Sequence, residues 1–537
     1  MRRSWRIAAV VAFTFALVFG GLFGEQLLAL TDEARESLRQ YTELLEVAQS
    51  RYGRDLTYRD MVFASVQGML RVLDPHTSFL PPEAYQTMQE RQQSSFYGLG
   101  ILVGMRNGQL TVITPIEGTP ASRLGIRAGD VIRTIEGEAT KGMSLDEAVQ
   151  RLKGPKDTQV TITLQRRGVD LPLELTITRA EIPQTTVRYA YMMDEQTGYM
   201  LISDFSRGTA AEVAKALKEL KGSGMRRLLL DLRNNGGGLL DQAVEVADQF
   251  VPKGTKIVET RGRTRDSFQE FDAAGKHPDL EVPLVVLVNS GTASAAEILA
   301  GAIQDHDVGL IVGTPTWGKG LVQTVYGLSY GAGLALTTAR YYTPAGRLIQ
   351  RDYTSYYDYY AYSDGDEGSD VQRRPTAGPE FRTDLGRTVY GGGGITPDVI
   401  EEPDEVAPLL QFFTTRNAFF NFAVEYNNRH RITDRAWKPN GRLLEEFEDW
   451  LVEEHLGTTE EIRAAFEDEA TTAYAVRRIQ AEIFNSAFGQ DAWHQVLAAG
   501  DDQIQRALAL FDQARELLVR RQQLEKTDEP KVAEVGG

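Results

Sequence analysis

The stretch Leu284-Val285-Val286-Leu287-Val288-Asn289-Ser290-Gly291-Thr292-Ala293-Ser294-Ala295-Ala296-Glu297-Ile298-Leu299 decides the fold. Its first five residues are all apolar, as in a strand covered on both faces; a strand with one wet face would alternate. Asn289, Ser290 and Gly291 end the strand, and Ser294 with Glu297 has the spacing of a capping box at the start of a helix. A buried strand running into a helix is a unit of an α/β layer. The same unit recurs upstream. Arg227-Leu228-Leu229-Leu230-Asp231-Leu232 reads as a buried strand that enters Arg233-Asn234-Asn235-Gly236-Gly237-Gly238, and a helix follows from Leu240 to Phe250. Before it, Thr209-Ala210-Ala211-Glu212 caps a helix with Val213, Ala216, Leu217 and Leu220 on one side.

This α/β core is expected over residues 181–403, as a sheet with covering helices. Inside it, Asp352 to Tyr390 holds a run of tyrosines and an acidic Gly-rich stretch, which predicts a long surface loop or partly disordered insertion. Residues 31–93 read as helices broken by Asp74-Pro75-His76-Thr77-Ser78. Residues 94–180 read as short strands between Gly and Pro turns, with one helix opened by the box Ser144-Leu145-Asp146-Glu147. The order of these elements, with Tyr97-Gly98-Leu99-Gly100-Ile101 and Gly125-Ile126-Arg127-Ala128-Gly129-Asp130, resembles a PDZ domain. That resemblance implies that Leu99, Gly100 and Ile101 present backbone N–H groups to the terminal carboxylate of a peptide, which adds as a strand. Residues 404–525 read as helices, including a capping box at Thr458 and Glu461, and 526–537 as a flexible tail.

The chain has 537 residues, no cysteine and a net charge of −17. Disulfides, thiolate metal sites and a cysteine nucleophile are therefore excluded, and the acidity argues against nucleic acid as a partner. Arg2, Arg3 and Arg6 precede an uncharged run from Ile7 to Gly24, 18 residues long. Segment 1–30 is thus expected to export the chain, as an uncleaved membrane anchor or a cleaved signal; a buried core helix is the remaining alternative. The expected location is periplasmic or otherwise extracytoplasmic.

Three short stretches carry chemistry. Ser294 with Glu297 is, on its own, a helix cap; the same place exposes a hydroxyl at a helix N-terminus, where the dipole favours a developing oxyanion. Gly313-Thr314-Pro315-Thr316-Trp317-Gly318-Lys319-Gly320 approaches a phosphate-binding loop, but Gly320 stands where that motif needs Ser or Thr, and a strand follows. If the strand includes Lys319, then Lys319, Leu321 and Gln323 share a face, within reach of an amide–amine hydrogen bond. The glycines at 236–238 either make a plain turn or let N–H groups converge. None of the six histidines falls in a serine motif, and no His-Glu-x-x-His sequence or close His pair argues for a metal.

Together, the Gly-rich loop, Thr292-Ala293-Ser294-Ala295-Ala296-Glu297, and Gly318-Lys319-Gly320 with Gln323, resemble the carboxyl-terminal processing (tail-specific) proteases. Leu73-Asp74-Pro75-His76-Thr77-Ser78 and Gly394-Ile395-Thr396-Pro397-Asp398-Val399 resemble that family's flanking motifs. The resemblance covers roughly residues 60 to 400. It implies Ser294 as nucleophile, Lys319 as general base, Gln323 as the residue orienting the lysine, and Gly237 with the Ala295 N–H as oxyanion hole. It implies no cofactor and no metal, protein substrates with exposed carboxyl-terminal tails, and possible pairing of subunits. Gly236 departs from the family's usual proline. The runner-up is a catalytically silent peptide-binding scaffold on the same fold.

The residues agree with that chemistry. A lysine takes a proton from serine only when neutral, and its free pKa is about 10.4. Burial lowers it by disfavouring the ammonium, and a shift of about 3 units costs about 4 kcal/mol. Trp317, Leu321 and Val322 are the apolar neighbours expected to supply that environment.

Overall fold

A computed structural model describes residues 32–275, 281–353 and 378–528. The candidate anchor, most of the tyrosine run and residues 529–537 lie outside the described residues. Among the described residues, no helix is long and apolar enough to cross a membrane.

The core is a six-stranded sheet in the order Val187–Met192, Thr197–Ile202, Arg227–Asp231, Leu284–Val288, Leu310–Gly313, Val399–Ile400. Its first pair is antiparallel and all later pairs are parallel. Side chains alternate across it as strand geometry requires. Leu228, Leu230, Val286 and Val288 face helices Thr209–Gly222, Leu240–Ala247 and Ala295–Asp305. Leu229, Val285, Leu287 and Val312 face the other way, against Ile504, Ala507, Phe511 and Ala514. The carboxyl-terminal helices Asp502–Ala509 and Phe511–Asp528 thus cover the second face, which explains why Leu284 to Val288 carry no polar residue.

A second, antiparallel sheet holds Ser78–Leu80, Gly333–Tyr342, Lys256–Gly262 and Gln269–Asp272, with Leu321–Gly327 paired to Gly333–Tyr342. Residues 95–183 form the expected small β-domain. Strands Ile101–Arg106, Gln109–Pro115, Val131–Ile135, Gln159–Gln165 and Leu173–Thr178 enclose a core with helix Leu145–Leu152, and Ser95–Gly98 pairs with Ala180–Pro183. The Ser144 hydroxyl caps that helix at the Glu147 N–H, 3.1 Å. Residues 408–498 form a helical unit with its own aromatic core. This unit touches the small domain: the Arg106 guanidinium lies 5.5 Å from the Phe420 ring, Arg167 pairs with Glu425 at 2.9 Å, and Gly129 packs under Val424.

Three details differ from the sequence reading. Gly208, not Thr209, precedes the helix Thr209–Gly222. Glu212 instead takes N–H groups from Thr186 and Val187, and so ties the helix to the neighbouring strand. The end of the 352–390 stretch is an ordered hairpin, Glu380–Arg382 with Thr388–Tyr390, held because Arg387 reaches the buried carboxylate of Asp307 and also Asp398. The last helix continues to Asp528, into the expected tail.

Candidate active site

Ser294 sits at the N-terminus of helix Ala295–Asp305 with φ 55° and ψ −115°. Positive φ is strained for a residue with a Cβ. Ser294 and Glu297 close the expected capping box. The Glu297 N–H donates to the Ser294 carbonyl oxygen, 2.9 Å, and the Ser294 N–H donates to Glu297 Oε2, 2.8 Å.

Glu297 is fully buried and does more than close a helix. Its Oε2 also accepts the Lys319 N–H, 2.9 Å, and its Oε1 accepts the Gly318 N–H and the Thr316 hydroxyl, 2.7 and 2.5 Å. Ser294 and Lys319, 25 residues apart in the chain, therefore hang by their backbones on one carboxylate oxygen. Burial raises the Glu297 carboxyl above its usual value despite these four donors. The phosphate-loop alternative fails here, because N–H groups at 318 and 319 are held by a carboxylate and a strand follows at Leu321.

The Lys319 amine donates to Gln323 Oε1, 2.8 Å, and Gln323 Nε2 donates to the His76 carbonyl oxygen, 2.7 Å. Burial depresses the Lys319 amine below its ordinary value, opposed by the charges of Glu297 and Asp74. In this conformation the amine rests on Gln323, and it makes no hydrogen bond to the Ser294 hydroxyl. The turn at Asp74 sets the His76 carbonyl. Its carboxylate accepts N–H groups of His76 and Thr77, both 2.8 Å, and the Thr77 and Thr337 hydroxyls. Burial pushes the Asp74 carboxyl up, but these bonds outweigh it and leave it low. Burial and the nearby Lys319 lower the His76 imidazole to about 4, so it is neutral at pH 7.

The glycine loop is fixed at several points. The Phe205 N–H donates to the Gly237 carbonyl, 2.9 Å, and the Ala293 N–H to the Asn235 carbonyl, 2.8 Å. Gly237 has φ 99° and lies directly against Ala293, Ser294 and Ala295. Its own N–H is engaged by Asn235 Oδ1, 2.9 Å. At Gly236 an added Cβ meets open space.

In the small domain, Gly100 has φ 79° and backs onto Thr119. Leu99 is buried in the domain's core, so its side chain is not presented to a ligand, and its carbonyl accepts the Ala121 N–H, 3.0 Å. Ile101 opens the strand Ile101–Arg106, and the next residue, Leu102, is 44% exposed.

Sequence reading took Glu297 only as a cap and did not assign Asp74, Tyr341 or Arg233. The Tyr341 hydroxyl donates to the Ser294 carbonyl, 3.1 Å. The Thr316 hydroxyl, which also accepts the Ile395 N–H, joins the Gly394-Ile395-Thr396 motif to Glu297. The spacing of Ser294 and Glu297 and the motif around Asp74 gave a signal in the sequence; Tyr341 gave none. Among the described residues, no cluster of three or more His, Asp or Glu is placed to hold a metal.

Comparison with known proteins places this geometry. Residues 196–355 match the model of peptidase family S41, and residues 111–166 match that of a PDZ domain. A carboxy-terminal-processing protease of Bartonella bacilliformis is 40% identical over 321 residues, 59% of this chain and 73% of the relative. A carboxyl-terminal-processing protease of Synechocystis is 39% identical over 306 residues, 56% of this chain and 70% of the relative. A solved photosystem II D1 C-terminal processing protease is 33% identical, covering 68% of this chain and 88% of that one, with a TM-score of 0.35. The fold and site thus define a serine protease of family S41 carrying a PDZ domain. The chain belongs to the carboxyl-terminal processing proteases.

Proposed function

We propose that this chain is an endopeptidase that captures exposed carboxyl-terminal tails of proteins through its PDZ domain and cuts them by Ser–Lys catalysis. The single observation that carries the reading is the shared hold of Glu297 Oε2 on the Ser294 and Lys319 backbones, beside a glycine loop and with a lysine amine depressed by burial. Neutral Lys319 swings from Gln323 and takes the Ser294 hydroxyl proton as Oγ attacks the scissile carbonyl. The Ala295 N–H, at the positive end of its helix, receives the oxyanion. The Gly237 N–H joins it when Asn235 Oδ1 releases it. The lysine ammonium then protonates the leaving amine, and a water, deprotonated by the same lysine, hydrolyses the acyl-serine. Gln323 parks and orients the amine between these steps.

The silent-scaffold reading draws on one observation, that the amine is bound to Gln323 and not to the Ser294 hydroxyl. Cleavage of a tail-bearing substrate by the parent, Ser294→Ala and Lys319→Ala proteins separates the two. The protease reading requires loss in both variants; equal cleavage by Ser294→Ala rejects it. Subunit pairing and an exported, membrane-tethered location are proposed with the same reading, on the basis of the family resemblance and of residues 1–30 respectively.

A further inference from the structure

We propose that Asp501, seconded by Gln503, is a positioning residue for the glycine loop 233–238, so that these two side chains of the carboxyl-terminal region act on the site through Arg233. The inference rests on the reading of that loop as the oxyanion site. Arg233 is the first residue of the loop, at the end of strand Arg227–Asp231. Its guanidinium grips the buried Asp231, with Nη2 2.7 Å from Oδ2, and its N–H donates to Asp231 Oδ1, 2.9 Å. Its remaining arm, Nη1, leaves the protease core: it lies 2.8 Å from Asp501 Oδ2 and 2.9 Å from Gln503 Oε1. Gln503 is itself tied by its Nε2 to the Glu401 carbonyl, 2.7 Å, beyond the sheet's edge strand. Asp231 also accepts the Tyr199 hydroxyl, 2.8 Å. The far end of the loop is fixed to Phe205 and Ala293. Between these ends Asn234 pairs with Asn289, and Asn235 Nδ2 donates to the Ile202 carbonyl, 2.8 Å; Asp501 and Gln503 add the hold on the root, Arg233.

Asp501 is also the N-cap of helix Asp502–Ala509, accepting the Ile504 N–H at 3.0 Å. Asn caps as well as Asp, so Asp501→Asn keeps the cap and removes the anion facing Arg233. Arg506→Gln, which breaks an exposed pair with Glu401 on the same helix, is the control. The readouts are kcat and KM on a tail-bearing peptide, and hydrogen exchange of the amides at 233–238, using the full chain. Asp501→Asn is expected to speed exchange at the loop and to lower kcat roughly tenfold to a hundredfold, with KM little changed. Arg506→Gln is expected to match the parent in both readouts. Unchanged loop exchange in Asp501→Asn overturns the proposal, as does faster exchange with kcat kept within about twofold of the parent. If Ser294→Ala cleaves like the parent, the Ser–Lys reading has failed on its own account, and exchange at the loop alone decides this one.

Discussion

Gly237 lies so close to Ser294 that a Cβ built on the glycine would stand 2.7 Å from the Ser294 Cβ. The same Cβ would stand 2.9 Å from the Ala295 nitrogen. The contact explains why residue 237 carries no side chain, independently of its φ of 99°.

Gly237→Ala is therefore expected to lower kcat by about a hundredfold or more, the effect of losing one oxyanion donor, with KM little altered. Steady-state kinetics on a tail-bearing reporter checks it. A variant with parental kcat would remove loop 233–238 from the reaction.

Glu297→Gln tests the shared anchor. Both carboxylate oxygens accept two hydrogen bonds each, and an amide turns one of those acceptors into a donor. A buried donor then faces donors, at a cost of about 1–3 kcal/mol for each group left unpaired. A lower melting temperature and a loss of kcat are both expected. Rates and stability equal to the parent would mean that Ser294 and Lys319 hold their places without Glu297.

The pH dependence follows from the depressed Lys319 amine. The base works only when neutral, so kcat/KM rises as pH rises through the lysine's pKa, which burial places below the usual value near 10.4. A rate profile should show one ascending limb in the neutral-to-alkaline range and then a plateau. Lys319→Arg removes the limb together with the activity, because a guanidinium does not deprotonate in this range. A profile flat from about pH 6 to pH 10 would count against a lysine base.

Gly100→Ala probes the PDZ loop. A Cβ there would overlap the Thr119 side chain, 2.2 Å from its Cβ, at a φ of 79°. The loop must shift, and capture of a terminal carboxylate should weaken. KM for a substrate with a free carboxyl-terminal tail is expected to rise about tenfold, while kcat at saturation changes little. The same substrate with an amidated tail should lose most of the difference between parent and variant. Equal KM values for parent and variant would separate tail capture from this loop.

The local layer of the structure was legible because it is periodic. Leu284 to Val288 announced a strand covered on both faces, and Ser144 with Glu147 announced a helix start, since each depends on neighbours within a few residues. Residue types and spacings in the Ser294, Lys319 and Gln323 segments likewise singled out candidates for the chemistry. Lys319 and Gln323 do meet, although the strand starts only at Leu321 and leaves Lys319 in the loop before it. Thr209 was misread, because both a cap and a tie to a neighbouring strand use the same polar residues.

By itself, then, the sequence determined which segments are strands and helices, that a PDZ-like module precedes an α/β core, and which hydroxyl and amine to watch. Only the tertiary structure decided that one carboxylate holds both of their backbones, that the His76 carbonyl, set by the turn at Asp74, supports Gln323 from 247 residues away, and that Asp501 reaches Arg233 across 268 residues. The reason is physical. Periodicity records which way a side chain faces, whereas the partner of a buried polar group is set by whichever donor or acceptor packing brings within about 3 Å, and no local pattern encodes that distance.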